Sequence, residues 1–170
     1  TFFLVGFWVD KYPEMVKAID ENGFEIGTHS NTHPDMATIS AENIAKELDI
    51  SIEKIKAITN KEVTLFRPPY GSYNNSLINA CSSRGLIPIQ WDVDSLDWKG
   101  LSAVDVTTRV MDRVQNGSII LMHNNADNVV ESTRMVLERL TKEGYKVTSI
   151  GELVYHSNYT IDNNGVQHSS

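Results

Sequence analysis

Apolar and polar positions along the chain follow two rhythms. Short apolar runs bounded by turn residues read as buried strands, and longer segments with apolar residues every three or four positions read as helices. The run "TFFLVG" (1–6) is a strand ending in glycine. In "PEMVKAIDENG" (13–23), Met15, Val16 and Ile19 recur at helical spacing and Gly23 stands where a helix stops. "FEIGTH" (24–29) is again a strand. The clearest helix covers 40–60, with Ser40 as its cap and Ile44, Leu48, Ile52 and Ile55 as its apolar stripe. The pattern then predicts a strand over 63–66, a helix over 74–85 and a strand over 86–91, where Pro88 suits a bulge or a strand start. A helix over 102–117, a strand over 118–123, a helix over 128–144, a strand over 145–149 and a short helix over 150–156 complete the series. Residues 157–170, "SNYTIDNNGVQHSS", are polar and rich in turn formers and read as a tail.

Six strands alternating with helices imply an α/β fold with a parallel sheet and right-handed crossovers, in open or barrel form. The reading is one domain over 1–156 and a tail over 157–170. In either form, active-site residues belong at the C-terminal ends of the strands. The chain opens directly on an apolar run, which reads as an interior strand exposed by truncation or processing.

Composition narrows the partners. The formal net charge is −7 and no long basic run occurs, which argues against nucleic acid and anionic lipid. No stretch has the roughly 18 consecutive apolar residues of a membrane span. The single cysteine, Cys81, sits in an apolar helical context and reads as a small core residue.

Chemistry gathers where strands end. His29 and His33 follow the second strand, Arg67 follows the third, Asp92, Asp94 and Asp97 follow the fourth, and His123 ends the fifth. The first pair lies in "GTHSNTHPDM" (27–36). A helical His29–His33 pair in the manner of H-E-x-x-H is opposed by Ser30, where that mechanism needs Glu, and by Pro34, which disfavours helical backbone at His33. The pair therefore belongs to a tight loop, where two neutral imidazoles either converge on a cation or serve as loop caps. In "FRPPYG" (66–71) two prolines hold Arg67 and the Tyr70 backbone rigidly, as a structural turn or as a support for an oxyanion. "WDVDSLDWKG" (91–100) offers Asp97 to orient a histidine and Trp98 to wall a sugar or methyl group, or else a set of turn formers. His123 is either a satisfied core histidine or a general acid beside an aspartate. Leu121 shares its face of the strand and could line an apolar pocket.

The motifs "HSNTHP" (29–34), "RPPYG" (67–71), "DSLDW" (94–98) and "LMH" (121–123), in this order, resemble those of the polysaccharide deacetylases of the NodB-homology type, carbohydrate esterase family 4. The resemblance runs from Thr1 to about Tyr155. It implies a distorted (β/α)7 barrel, here with the first strand and helix missing, since "TFFLVG" looks like that domain's second strand. It further implies that His29 and His33 ligate a divalent metal, Zn2+ or a similar cation such as Co2+. Arg67 would orient the catalytic base, and the Tyr70 N–H would meet the oxyanion. Asp97 would tune His123 as general acid, while Trp98 and Leu121 would line a pocket for the acetyl methyl.

One element of the family pattern has no counterpart. An adjacent pair of aspartates supplies the base and the third metal ligand in the family, and no two aspartates are adjacent in these 170 residues. The expected activity is removal of acetyl groups from an N-acetylated polysaccharide: peptidoglycan, chitin or xylan. The alternatives are a glycan-binding or degenerate domain, and a different metal hydrolase on the same scaffold. The family setting implies an extracytoplasmic location, and the oligomeric state is left open.

Overall fold

The structure, a computed structural model, describes residues 1–170. The chain divides into two compact units, Thr1–Gln90 and Trp91–Ser170.

The first unit is built on a parallel sheet of order β1-β2-β3-β4, formed by Phe2–Leu4, Ile26–Thr28, Leu65–Phe66 and Ile87–Pro88. Its register pairs Phe3 with Gly27, Thr28 with Phe66, and Leu65 with Ile87. Gly27 is required by the close approach of its neighbours. A Cβ there would lie 2.6 Å from the Phe3 ring and 2.9 Å from the Leu65 carbonyl oxygen. Pro88 is tolerated inside β4 because the bonds to β3 come from its neighbours: Ile87 N–H donates to Thr64 O (2.8 Å) and Ile89 N–H to Phe66 O (2.7 Å).

Four helices belong to this unit: α1 (Gly6–Lys11), α2 (Pro13–Glu21), α3 (Ala41–Thr59) and α4 (Asn75–Ser82). The central one, α3, packs against the other three. Ser40 caps it by accepting the Asn43 N–H, and Asn60 ends it in the left-handed region at φ 55°. Ile44, Leu48 and Ile55 are buried as the stripe predicts, but Ser51 joins them and Ile52 is only partly buried. The buried Ser51 hydroxyl is satisfied by Thr28 Oγ1 at 2.5 Å and by the Leu48 carbonyl at 3.0 Å, which ties α3 to β2. With Leu4, Val9, Val16, Met36, Phe66, Leu77 and Cys81 this stripe forms one core. Each large apolar side chain so buried contributes about 1.5–3 kcal/mol.

The second unit pairs β5 (Val93–Asp94) with β6 (Ile120–Leu121) in parallel, Val93 opposite Ile120 and Asp94 opposite Leu121. Helices α5 (Ala103–Met111) and α6 (Val129–Lys142) pack on each other, and Val93, Val110, Val136 and Leu140 form the core. A short helix, α7 (Ile150–Leu153), is capped by Ser149, which accepts the Glu152 N–H.

Several sequence expectations need correction. Gly6 does not end a strand but opens α1, whose buried Val9 was hidden in a segment too short to show a helical period. The stretch 86–91 narrows to β4, and β5 appears inside a run dominated by acids. Residues 145–149 form no strand. Tyr145 instead closes the end of α6, its N–H bonded to Leu140 O (2.9 Å) and its hydroxyl to Val114 O (3.2 Å). Residues 157–170, expected as a tail, contain an antiparallel hairpin of β7 (Tyr159–Ile161) and β8 (Gln167–Ser169). Its turn is tightened by Asp162 Oδ1, which accepts the N–H groups of Asn164 and Val166. No helix is long and apolar enough to cross a membrane.

Candidate functional site

In the first unit, the chain leaves β2 at Thr28 and turns at once. The His29 N–H still donates to Leu4 O (2.9 Å), continuing the sheet by one residue. Then Ser30 (φ 71°) and His33 (φ 63°) enter the left-handed region, so 29–33 is a loop and not a helix, as Pro34 demands. Ser30 Oγ accepts the His33 N–H at 3.0 Å and closes this loop on itself. The folding of the backbone brings the two imidazoles together with ring centres 4.8 Å apart and planes at 74°.

The next strand orients the first of these rings. His29 Nδ1 lies 2.6 Å from the Arg67 carbonyl oxygen. A carbonyl only accepts, so Nδ1 carries the proton and the lone pair of the neutral ring is on Nε2. The Arg67 N–H in turn donates to Thr28 O (2.9 Å), so β2 and the "RPPYG" loop are locked to each other. The Arg67 guanidinium is buried and lies over the Phe3 ring, 4.4 Å from its centre. Burial pulls its pKa down to about 10, which leaves it charged at neutral pH.

Tyr70 sits in the 3-10 turn Pro69–Gly71 with left-handed backbone (φ 61°, ψ 5°). Its side chain is 70% exposed, and its ring stands edge-on to His33 at 4.8 Å. His29, His33, Arg67 and Tyr70 are thus one cluster within this unit.

The second unit holds the other cluster. Asp97 opens a 3-10 turn, Asp97–Lys99, just beyond β5, and His123 follows β6 closely. Asp97 is only 3% exposed and both its oxygens go to His123. Oδ2 accepts the His123 backbone N–H at 2.6 Å, and Oδ1 meets ring Nδ1 at 2.8 Å. Burial acts to raise the Asp97 carboxyl. The hydrogen bonds and charge of His123, helped by Ser95, outweigh it and hold the carboxyl below its ordinary 3.8. Leu121 is buried on β6, while Trp98 is 57% exposed with Lys99 Nζ 5.1 Å from the centre of its ring.

The other acids of this stretch bind backbone and hydroxyl groups: Asp92 holds the segment leading into β6, and Asp94 closes a local turn. Asp92 accepts the Ser118 hydroxyl (2.7 Å) and the Ile119 N–H (2.6 Å), and Asp94 accepts the Leu96 N–H (2.9 Å). Sequence reasoning missed the supports of both clusters. Glu47 bonds the loop at Asn31 and Thr32, and Arg109 Nε donates to the Asp94 carbonyl at 2.8 Å. Both project from helix surfaces where charged residues are ordinary, so no pattern marks them.

No group of three or more His, Cys, Asp or Glu is arranged to hold a metal ion. Two adjacent imidazoles, one fixed through Nδ1 so that its Nε2 is the donor atom, are nevertheless a fitting partial donor set for a borderline cation such as Zn2+.

Residues 1–89, just over half of the chain, match the family model of polysaccharide deacetylase. Among curated proteins, YlxY of Bacillus subtilis, itself uncharacterised, is 33% identical over 91% of this chain and 48% of its own length. The peptidoglycan-N-acetylmuramic acid deacetylase PdaC of the same organism is 31% identical over 90% of this chain and 32% of its own length. The chain thus spans between a third and three fifths of such relatives. Among solved structures, BA3943 of Bacillus anthracis, a CE4 family pseudoenzyme, superimposes with a TM-score of 0.86 at 36% identity, over 89% of this chain and 54% of that one. The family model and the shared architecture agree: the chain belongs to the polysaccharide deacetylase family, carbohydrate esterase family 4, and has its α/β fold of the distorted (β/α)7 type.

Proposed function

We propose that this chain is part of a metal-dependent hydrolase that removes acetyl groups from an N-acetylated cell-wall polysaccharide outside the cytoplasm. The observation that carries the reading is the His29–His33 pair, 4.8 Å apart, with His29 held in one tautomer by the Arg67 carbonyl. His29 and His33 would hold a divalent cation, Zn2+ or a similar ion. When bound, such a cation supplies a Lewis acid that polarises an acetamido carbonyl and acidifies water.

The chain's own residues account for the remaining roles assigned to them. Arg67 fixes His29 through its backbone and keeps a buried positive charge beside the sheet. The prolines of "RPPYG" and the left-handed Tyr70 present a backbone N–H for a developing oxyanion, a contribution worth roughly 3–4 kcal/mol per donor in other enzymes. Asp97 takes the His123 Nδ1 proton in a hydrogen bond, so the opposite ring nitrogen is the one that delivers a proton to the departing amine. Trp98 and Leu121 offer apolar surface to the acetyl methyl. Removal of a proton from water is assigned to none of these residues.

Relatives named as peptidoglycan deacetylases support peptidoglycan as the substrate class. The test is acetate release from peptidoglycan and from N-acetylglucosamine oligomers, with added Zn2+ and with chelator. His123→Ala should remove most turnover and leave metal affinity nearly unchanged. Loss of metal on that change would contradict the role given to His123.

A second reading is favoured by one finding. BA3943 is a pseudoenzyme, and a mutant of it has restored enzymatic activity. On that likeness the chain binds glycan without turnover. Glycan binding with no acetate release at saturating Zn2+ would select this reading.

A further inference from the structure

The loop that carries both imidazoles is gripped on its two backbone edges. From one side, the first turn of α1 meets its carbonyls: Gly6 N–H donates to Ser30 O (3.0 Å) and Phe7 N–H to Asn31 O (3.1 Å). From the other side, a single carboxylate of α3 collects its donors. Glu47 Oε2 accepts the N–H groups of Asn31 (2.8 Å) and Thr32 (2.7 Å), and Oε1 accepts the Thr32 hydroxyl (2.7 Å). About two turns further along α3, Lys54 Nζ holds the Asn31 side chain at 2.8 Å and Asp10 at 2.6 Å.

This grip lies where the backbone is least willing to stay. Ser30 and His33 flank the two residues bonded by Glu47, and both have positive φ. A left-handed conformation at non-glycine residues persists only where the surroundings over-determine it. Amide bonds to a carboxylate are stronger than those to a neutral acceptor, and Glu47 makes two of them at once. Its helix does not move easily, because Ile44 and Leu48 on either side of it in the sequence are fully buried.

We propose that Glu47 is a positioning residue for the cation site: it holds the 29–33 loop in the one conformation that brings both imidazoles to the same ion. The inference rests on the cation-binding reading of His29 and His33. Glu47 acts through the loop backbone and Thr32, not as a ligand.

The experiment compares the 170-residue chain with its Glu47→Ala and Glu47→Gln variants. Zn2+ is titrated while the imidazole resonances of His29 and His33 are followed, with His156 and His168 as internal controls. Hydrogen exchange of the Asn31 and Thr32 amides is measured without metal. Glu47→Ala should weaken Zn2+ binding roughly tenfold or more, as expected for a supporting partner of a ligand. The same change should speed exchange at both amides about tenfold. Glu47→Gln keeps a neutral acceptor and should fall between, with binding weaker by about threefold. If Glu47→Ala does not fold, the Gln variant carries the comparison by the same two readouts. Unchanged Zn2+ affinity in a folded variant, beside a parent that binds, overturns the role of Glu47 alone. A parent in which Zn2+ leaves both imidazoles unmoved overturns the cation reading and the inference with it.

Discussion

Asp97 spends both of its carboxylate oxygens on a single residue, His123, one on the backbone N–H at 2.6 Å and one on ring Nδ1 at 2.8 Å. The contact therefore fixes the position of the residue and the orientation of its ring at the same time. Asp97→Asn keeps the shape but turns one acceptor into a donor facing another donor. The change should cost about 1–3 kcal/mol of stability, as expected for a buried donor left without its acceptor, and urea unfolding measures it.

That stability should depend on acid. The carboxyl of Asp97 lies below its ordinary 3.8 in the folded chain. Between the two values the unfolded chain binds the extra proton, so stability rises with pH there. The contribution is whole above about pH 5 and is lost as pH falls through the unfolded value towards the folded one. The stability gap between the parent and Asp97→Asn should be constant at neutral pH and should shrink in acid. A gap that widens in acid would show that the carboxylate is not what the fold uses.

His29 should be a single tautomer. The Arg67 carbonyl 2.6 Å from Nδ1 can only accept, so the neutral ring carries its proton there. The 15N shifts of the imidazole should show a protonated Nδ1 and a bare Nε2. The reverse pattern would mean that Nε2 is not the nitrogen offered to a cation.

Gly6 should resist even the smallest side chain. A Cβ at this position would lie 2.2 Å from Asn31 Oδ1 and 3.0 Å from Asn31 Cα. Gly6→Ala must turn the Asn31 side chain aside and shift the loop backbone by a few tenths of an ångström, and overpacking of this kind costs about 1–3 kcal/mol. Thermal unfolding should register the loss, and the His29 and His33 resonances should shift more than those of His156 and His168.

Cys81 should be inert in the folded chain. It is fully buried, and burial pushes its thiol up to about 12, so almost no thiolate exists at pH 8. Iodoacetamide should label it only after unfolding. Labelling of the native chain at a rate near that of a free thiol would show that α4 opens readily.

The motif "HSNTHP" could be read as a loop because Pro34 forbids helix at His33, a local steric fact that needs no partner. Ser40 as a cap and Ile44, Leu48 and Ile55 as a stripe were readable for the same reason: capping and periodicity are properties of neighbours along the chain. The readings failed where a distant partner decides. Residues 145–149 have strand composition, but they enter no ladder. Val93–Asp94 has the opposite fate, since β6 makes a strand of it despite its acids. Asp92, Asp94 and Asp97 are alike as letters. Only the fold gives the first to the distant Ile119 N–H, the second to a local turn and the third to His123.

Order and kind of residue along the chain were enough to name the family, to set the alternation of strands and helices, and to place imidazoles, a guanidinium and a carboxylate after strand ends. They could not say which nitrogen of His29 holds its proton, which acid meets His123, or that a glutamate on α3 clamps the histidine loop. Those facts depend on side chains and carbonyls from segments 15 to 38 positions apart meeting within 3 Å. Local rules act over about one turn of backbone, and contacts at such separations exist only once the whole core has closed.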